Sequence, residues 1–328
     1  MTREEQIIAD AFLQVIGTAL DDTTLSRLAD ALERNELEEA FRAIGLQEAI
    51  FAPLIEAIRE AYIAAGIAFG STFPVLLQGF AGAFVYHFNI RSPEAEKWLR
   101  EKSSSFITRI TEETRELVRN IAQEGMAAGR NPRRVALDIV GRIDPVTRRR
   151  VGGIIGLTVE QMTWVRATRR DLEELNPRYF QRKLRDKRFD RVVQRAINTG
   201  QPLDTATVQR LMTRYTDNVL KFRAEMIARS ELLQAQSAAE FEATRQAVDL
   251  GATTPSSVRR VWDSSGDARV RPSHKAMDGQ TVGFNEPFLT PEGARLMYPG
   301  DNSLGAPAKE IIMCRCRARP KINWTVPT

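Results

Sequence analysis

The chain has 328 residues, 43% of them hydrophobic, with modest glycine and proline counts, a composition that excludes disordered and fibrous classes. Its length exceeds the usual single-domain size, so two or three domains are expected. Two cysteines exclude a disulfide scaffold, and the N-terminus shows neither a signal nor a small-residue cleavage site, so the expectation is a reducing cytoplasm and free thiols. The net charge of +5 is unevenly spread: residues 1–60 carry thirteen acidic residues against five Arg, whereas residues 133–195 carry seventeen basic against eight acidic. Clustered cations either solvate helix faces or meet phosphates and acidic partner surfaces. Aromatic residues are sparse in the basic stretch, so base stacking is not indicated.

The first sixty residues read as short amphipathic helices, with Ile7, Ile8, Ala11, Phe12 and Val15 at helical spacing and breaks at Thr23–Thr24 and Asn35. From Ala61 to Ile90 no side chain is formally charged, a run long enough to cross a bilayer. Pro74, four glycines, Gln78 and the acidic flank of Glu56 and Glu60 argue instead for buried helix and loop. His87, with no Cys or second His near it, reads as a packed or capped residue and not as a ligand. Ser92-Pro93-Glu94 opens a helix that runs, with one interruption, to Gly125 or Gly129. Asn131-Pro132 starts another, Gly152, Gly153 and Gly156 mark a tight turn or close helix approach, and Thr158 to Gln161 forms a capping box before a helix ending at Asn176-Pro177.

Residues 177–198 are expected to form a strongly basic helix, and Arg178, Arg182, Lys183, Arg185 and Arg188 are its candidates for contact with DNA or an acidic partner. The longest helical pattern runs from Asp204 to Asp249, with Val208, Leu211, Met212 and Tyr215 on one face and Gly251 as C-cap. Thr253 to Ser257 reads as a hinge. Beyond it come short β-type signals at Arg260–Trp262, Thr281–Phe284 and Cys314–Ile322, separated by turns at Gly266, Gly279 and Gly300. The expected fold is mainly α, with long helices in the N-terminal and central regions and a small C-terminal α+β module. Along the chain this gives an N-terminal helical region (1–90), a central helical domain (91–252) and the module (258–328).

Both cysteines and one of the two histidines fall in the module. Cys314 and Cys316, two apart, place both sulfurs on one side of a strand, and with His274 they make three zinc ligands; Asp278, Asp267 or Asp301 has to supply the fourth. The other reading is a pair of thiols packed under a loop, because a Cys314–Cys316 disulfide would close a small, strained ring. A nucleophilic cysteine needs an orienting third group, and no phosphate loop, paired-histidine metalloprotease motif or dinucleotide fingerprint is present.

The order of these elements resembles the Mu F-like family of bacteriophage minor head proteins. It runs from Trp262 through Asp267, Arg269, Arg271 and His274 to Gly279, the Pro299–Asp301 turn and the closing Cys314-Arg315-Cys316. Upstream, Ile227-Ala228-Arg229-Ser230-Glu231 is similar to the Ile-Ala-Arg-Thr-Glu run of that family, and Gly152 to Thr158 is less specifically phage-like. The resemblance covers roughly residues 90–320 and is strongest from Ile227 onward. It implies a non-catalytic virion protein in multiple copies, placed with the portal inside the head and acting in head morphogenesis and in DNA packaging or ejection, after assembly in the host cytoplasm. Its implied partners are portal and head proteins, packaged DNA, and a membrane only during ejection. Many members carry a histidine just before Cys-x-Cys, where this chain has Lys309 to Met313. That departure weighs against zinc, so His274, Cys314 and Cys316 read chiefly as the core of a docking module. Some relatives also carry a toxin domain after this module; the dozen residues following Cys316 are too few for one. Two alternative functions remain: a membrane-active ejection protein using residues 61–90, and a zinc-stabilised nucleic-acid-binding module.

Overall fold

In a computed structural model, which describes residues 1–20 and 23–325, the protein is mainly α-helical, with small sheets of two or three strands. In chain order come α1 (Arg3–Thr18), α2 (Thr24–Glu33), α3 (Leu37–Ile44), α4 (Ala52–Gly70), β1 (Leu77–Gly79), β2 (Gly82–Phe84), α5 (Pro93–Ala127), α6 (Pro132–Val140), β3 (Arg142–Ile143), β4 (Arg150–Val151) and α7 (Val159–Glu173). There follow α8 (Asp190–Thr199), α9 (Thr205–Asp249), β5 (Val258–Asp263), α10 (Pro272–Ala276), β6 (Thr281–Gly283), β7 (Phe288–Leu289), β8 (Arg295–Leu296), α11 (Ala308–Ile311) and β9 (Arg317–Ile322). Compactness groups residues across the linear segments 1–90, 91–252 and 258–328. One unit comprises residues 1–8, 54–103 and 225–328, the other residues 9–53 and 104–224, and the division falls inside α1, α4, α5 and α9.

Local chemistry sets several helix ends. Ser92 Oγ accepts from the Ala95 N–H at 3.3 Å at the start of α5, and Asn131 Oδ1 accepts from Arg133 and Arg134 at the start of α6. Thr158 and Gln161 form the reciprocal capping box of α7. Gly251, at φ 78°, ends α9 in the left-handed conformation that glycine adopts without steric cost. In contrast to the expected interruption, α5 is continuous for 35 residues. Ile7 is 45% exposed, whereas Ile8, Ala11, Phe12 and Val15 are buried. His87 is exposed instead of packed.

In the second unit α2 packs on α3 and α6, and Arg115 lies over the Phe41 ring while bonding Glu38 at 2.8 Å. Gly156, at φ 87°, lets the backbone approach so closely that an added Cβ would lie 2.9 Å from Ile16. The expected basic helix over residues 177–198 is two 3-10 turns, Pro177–Gln181 and Lys187–Phe189, followed by α8. The reason is local: Asn176 and Asp186 accept the N–H groups of Arg178 and Arg188 two residues on, a side-chain bond that competes with continuous helix.

The first unit surrounds the second half of α9. Its neighbours are α4, the start of α5, the β1–β2 hairpin and the C-terminal module. Tyr62 stacks on Trp98 at 4.6 Å, and Phe73 packs on Tyr86 and Trp324. The α9 face toward this packing carries buried polar groups as well as alanines. Glu231 pairs with Lys102 at 2.5 Å, Glu242 accepts from Ser92 Oγ at 2.6 Å, and Gln246 exchanges bonds with the Asn89 backbone at 2.8 Å. Among the described residues no helix is long and apolar enough to cross a membrane, and the uncharged run is divided between α4 and the hairpin.

The module is an antiparallel sheet of order β6-β5-β9 with the β7–β8 ribbon beside it; Trp262 faces Ala318 and Arg260 faces Val282 in register. Thr253–Ser257 is not a hinge. Thr253 Oγ1 donates to Asn323 O at 2.7 Å, and Asn323 N donates to Ser257 O, which ties the segment to the end of β9.

Replacing Lys102 with Met removes the ion pair to Glu231, whose side chain is 1% exposed. Removing one partner of such a buried pair costs about 3–5 kcal/mol, and urea unfolding should show that loss. The Lys102→Met Glu231→Leu double variant should recover most of it.

Candidate functional site

The site predicted from the tail lies within the first unit, in the core of the module. Trp262, Met277, Phe288, Leu296, Ala306, Ile311, Cys314 and Cys316 pack together. Trp262 meets the His274 ring edge-on at 5.0 Å and Phe288 at 5.1 Å. His274 comes from α10, and the two cysteines from the extended strap between α11 and β9; the strand itself begins only at Arg317, later than the sequence pattern suggested.

One atom from each of His274, Cys314 and Cys316 lies within 4.8 Å of the others, and all three residues are buried. Both Sγ atoms lie 3.4 Å from His274 Nδ1. Each cysteine is free. The neighbouring Cys316 holds the Cys314 thiol below its ordinary range, while Cys314 and burial push the Cys316 thiol up. On the other side of the ring, Glu310 Oε2 sits 3.1 Å from His274 Nε2, but not in line with its N–H. The same oxygen accepts from Ser273 Oγ at 2.8 Å, so this buried carboxylate is fixed in place.

The candidate acids fall elsewhere. Asp278 is exposed and accepts from Ser264 N at 2.8 Å. Asp267 accepts from Arg269 N and pairs with Arg315. Asp301 accepts from Met297 N and Ser303 N, closing the Pro299–Asp301 turn. The structure therefore joins His274 to both cysteines, does not bring Asp278 to them, and sets Glu310, from the segment in which this chain departs from the family pattern, on the far side of the imidazole ring.

Other quoted residues act on the backbone. Arg271 donates to Lys309 O and, at 2.6 Å, to Ile312 O, holding the segment around α11. Gly279, at φ 76°, makes the turn whose N–H returns to Trp262 O. Arg269 donates only through its backbone among these contacts. Arg260, overlooked in the pattern, is 3% exposed and bonds the carbonyls of Gly283, Glu286 and Met297 between the rings of Phe241 and Phe288. Burial pulls its guanidinium down to about 10, still charged at neutral pH.

Met313 has a left-handed backbone, φ 56°, immediately before Cys314. Such a conformation is costly for a side chain other than glycine and persists only when its surroundings hold it. The holding partner is Ser230, whose Oγ accepts the Met313 N–H at 2.9 Å and donates to Met226 O. Ser230 and Glu231 belong to the run Ile227–Glu231. That run and the Cys-Arg-Cys strap, which resembled one family as separate pieces of sequence, are thus parts of one packed assembly.

Residues 187–319 match the family model described as Phage Mu protein F like protein. The matched span holds α8, α9 and nearly all of the module, including every residue quoted from Ile227 to Cys316. It supports a phage head-morphogenesis protein, and a structural family of this kind fits a non-catalytic role. No curated protein and no solved structure matches the chain.

The basic candidates lie upstream of the module. Arg182 bonds Asp171, Arg185 grips Asp190 with two nitrogens, and Arg188 pairs with Asp186. Arg178 and Lys183 are exposed.

Ser230→Ala removes the acceptor of the Met313 N–H. The expected loss of stability is about 1 kcal/mol, and labelling of Cys314 and Cys316 by a thiol reagent should accelerate as the strap loosens. Unchanged labelling would show that Arg271 alone holds it.

Proposed function

We propose that this protein is a minor structural protein of a tailed-phage head, assembled with the portal on the inner side of the head and acting in head morphogenesis and in DNA packaging or ejection. The family match over residues 187–319 carries this reading. The physical form is compatible with it. A 45-residue α9 is roughly 68 Å long at the helical rise, and the module offers a rigid, closely packed surface for docking on a partner. Multiple copies per virion, in the head interior near the portal, follow from the same reading, as does assembly in the host cytoplasm.

For the basic stretch, the paired arginines serve the fold first. Arg182, Arg185 and Arg188 each hold a carboxylate of this chain, so of the five candidates Arg178 and Lys183 are the ones left for packaged DNA or an acidic portal surface. Reversing both, as Arg178→Glu Lys183→Glu, should leave the circular dichroism spectrum unchanged while reducing incorporation into heads several-fold. Virions with normal amounts of the variant and normal DNA retention would refute that contact. Co-expression with the portal of the same phage tests the main reading: a portal ring that purifies without this chain would count against it.

A second reading is favoured by the β1–β2 hairpin. Val75 and Phe80 are 83% and 85% exposed, with Leu76 and Val85 beside them, a set of apolar side chains that suits insertion into a lipid surface during ejection. Flotation with anionic liposomes, compared with Phe80→Asp, distinguishes the two: the ejection reading requires lipid association that the variant loses.

A further inference from the structure

We infer that His274, Cys314 and Cys316 form a buried site for a thiophilic cation of the zinc class, with Glu310 positioning the imidazole from its far side. The inference is independent of the head-protein reading and rests on how the three donors converge.

The two thiols share one target. Both sulfurs lie 3.4 Å from the same ring nitrogen, Nδ1 of His274. A neutral imidazole offers one lone pair at its acceptor nitrogen, enough for one S–H donor and not for two. A cation removes this competition by accepting all three lone pairs. The spacing suits it: with Zn–S near 2.3 Å and Zn–N near 2.0–2.1 Å, neighbouring donors of a tetrahedral site are about 3.5 Å apart. Burial of all three donors and their soft or borderline character favour zinc over magnesium or calcium, which take oxygen ligands.

The surroundings are those of a supported ligand set. Glu310 Oε2, anchored by Ser273, lies 3.1 Å from Nε2. A small turn of the ring gives Nε2–H a carboxylate acceptor and leaves Nδ1 free to ligate, the arrangement in which a carboxylate orients a metal-binding histidine. The strap is held before any ion arrives, by Arg271 on the carbonyls of Lys309 and Ile312 and by Ser230 on the Met313 N–H. Among the described residues no fourth His, Cys, Asp or Glu joins the group, so the fourth corner falls to a small donor such as water. On binding, two S–H bonds are replaced by two sulfur–metal bonds, both protons pass to the buffer, and His274 keeps its proton on Nε2. The ion ties α10 to the strap leading into β9, joining residues forty positions apart.

The test uses the full chain, purified without added zinc and without chelator. Elemental analysis should find about one zinc per chain. Cobalt(II) added to chelator-treated protein should give thiolate charge-transfer absorption and the intense visible bands of tetrahedral cobalt. Zinc should raise the melting temperature by about 5–10 °C, as ligand linkage implies for a chain of this size. It should also slow thiol labelling of the wild-type chain at least about tenfold, reversibly with chelator, a readout that needs no variant to fold. Glu310→Gln should stay folded and bind about 10–100-fold more weakly. Wild-type protein without the cobalt bands and with the same melting temperature in zinc and in chelator would overturn the inference, as would equal metal content in Cys314→Ser Cys316→Ser.

Discussion

The bond from the Met313 N–H to Ser230 Oγ holds the one strained residue on which the geometry of the module depends. At Met313 the chain leaves α11 and turns left-handed, and this turn carries Cys314 and Cys316 beneath His274. An extended conformation there would send the strap elsewhere, and the start of β9, paired with β5 from Val258 to Asp263, would lose its register. A hydroxyl on α9 thus controls the path of a segment about eighty residues later. Arg271 fixes the same segment through the carbonyls of Lys309 and Ile312, so the Ile312–Met313 peptide group is held at both its C=O and its N–H.

The module shows how a few buried polar groups can organise an otherwise apolar core. Arg260 binds three carbonyls between two aromatic rings, Asp301 closes its turn by accepting two N–H groups, and Glu310 stands between Ser273 and His274. Each is almost fully buried. A buried polar group without a partner is expensive, so each of them rejects arrangements in which its partners are displaced.

Where structure is set within a few residues, it was legible in the sequence. The capping box at Thr158, the Asn131 cap, the Ser92-Pro93 start and the Gly251 stop all act over one turn of chain, and the apolar face of Val208, Leu211, Met212 and Tyr215 follows from helical spacing. Legibility failed where distant partners decide. The basic stretch has helical charge spacing, yet Asp171, Asp186 and Asp190 hold its arginines and the Asx bonds break it into turns. The three metal candidates His274, Cys314 and Cys316 were readable because cysteine and histidine are scarce in this chain. Their acidic companion was not: the chain has 42 acidic residues, and nothing in the spacing of Glu310 separates it from Asp278. Only tertiary placement puts one carboxylate behind the imidazole and leaves the other in solvent.

The buried polar stripe on α9 has a mechanical consequence. Ser230, Glu231, Gln234, Glu242 and Gln246 meet partners on the Met313 strap, α5 and the Asn89–Ser92 segment. Apolar side chains tolerate sliding past one another, because a displaced methyl group finds another; hydrogen bonds do not survive a shift of more than a fraction of an ångström. Within this unit α9 is therefore notched like a key in its wards. A load applied along the helix would meet no gradual slip, only resistance until several bonds fail together, which makes this half of α9 a strut suited to passing force from one end to the other.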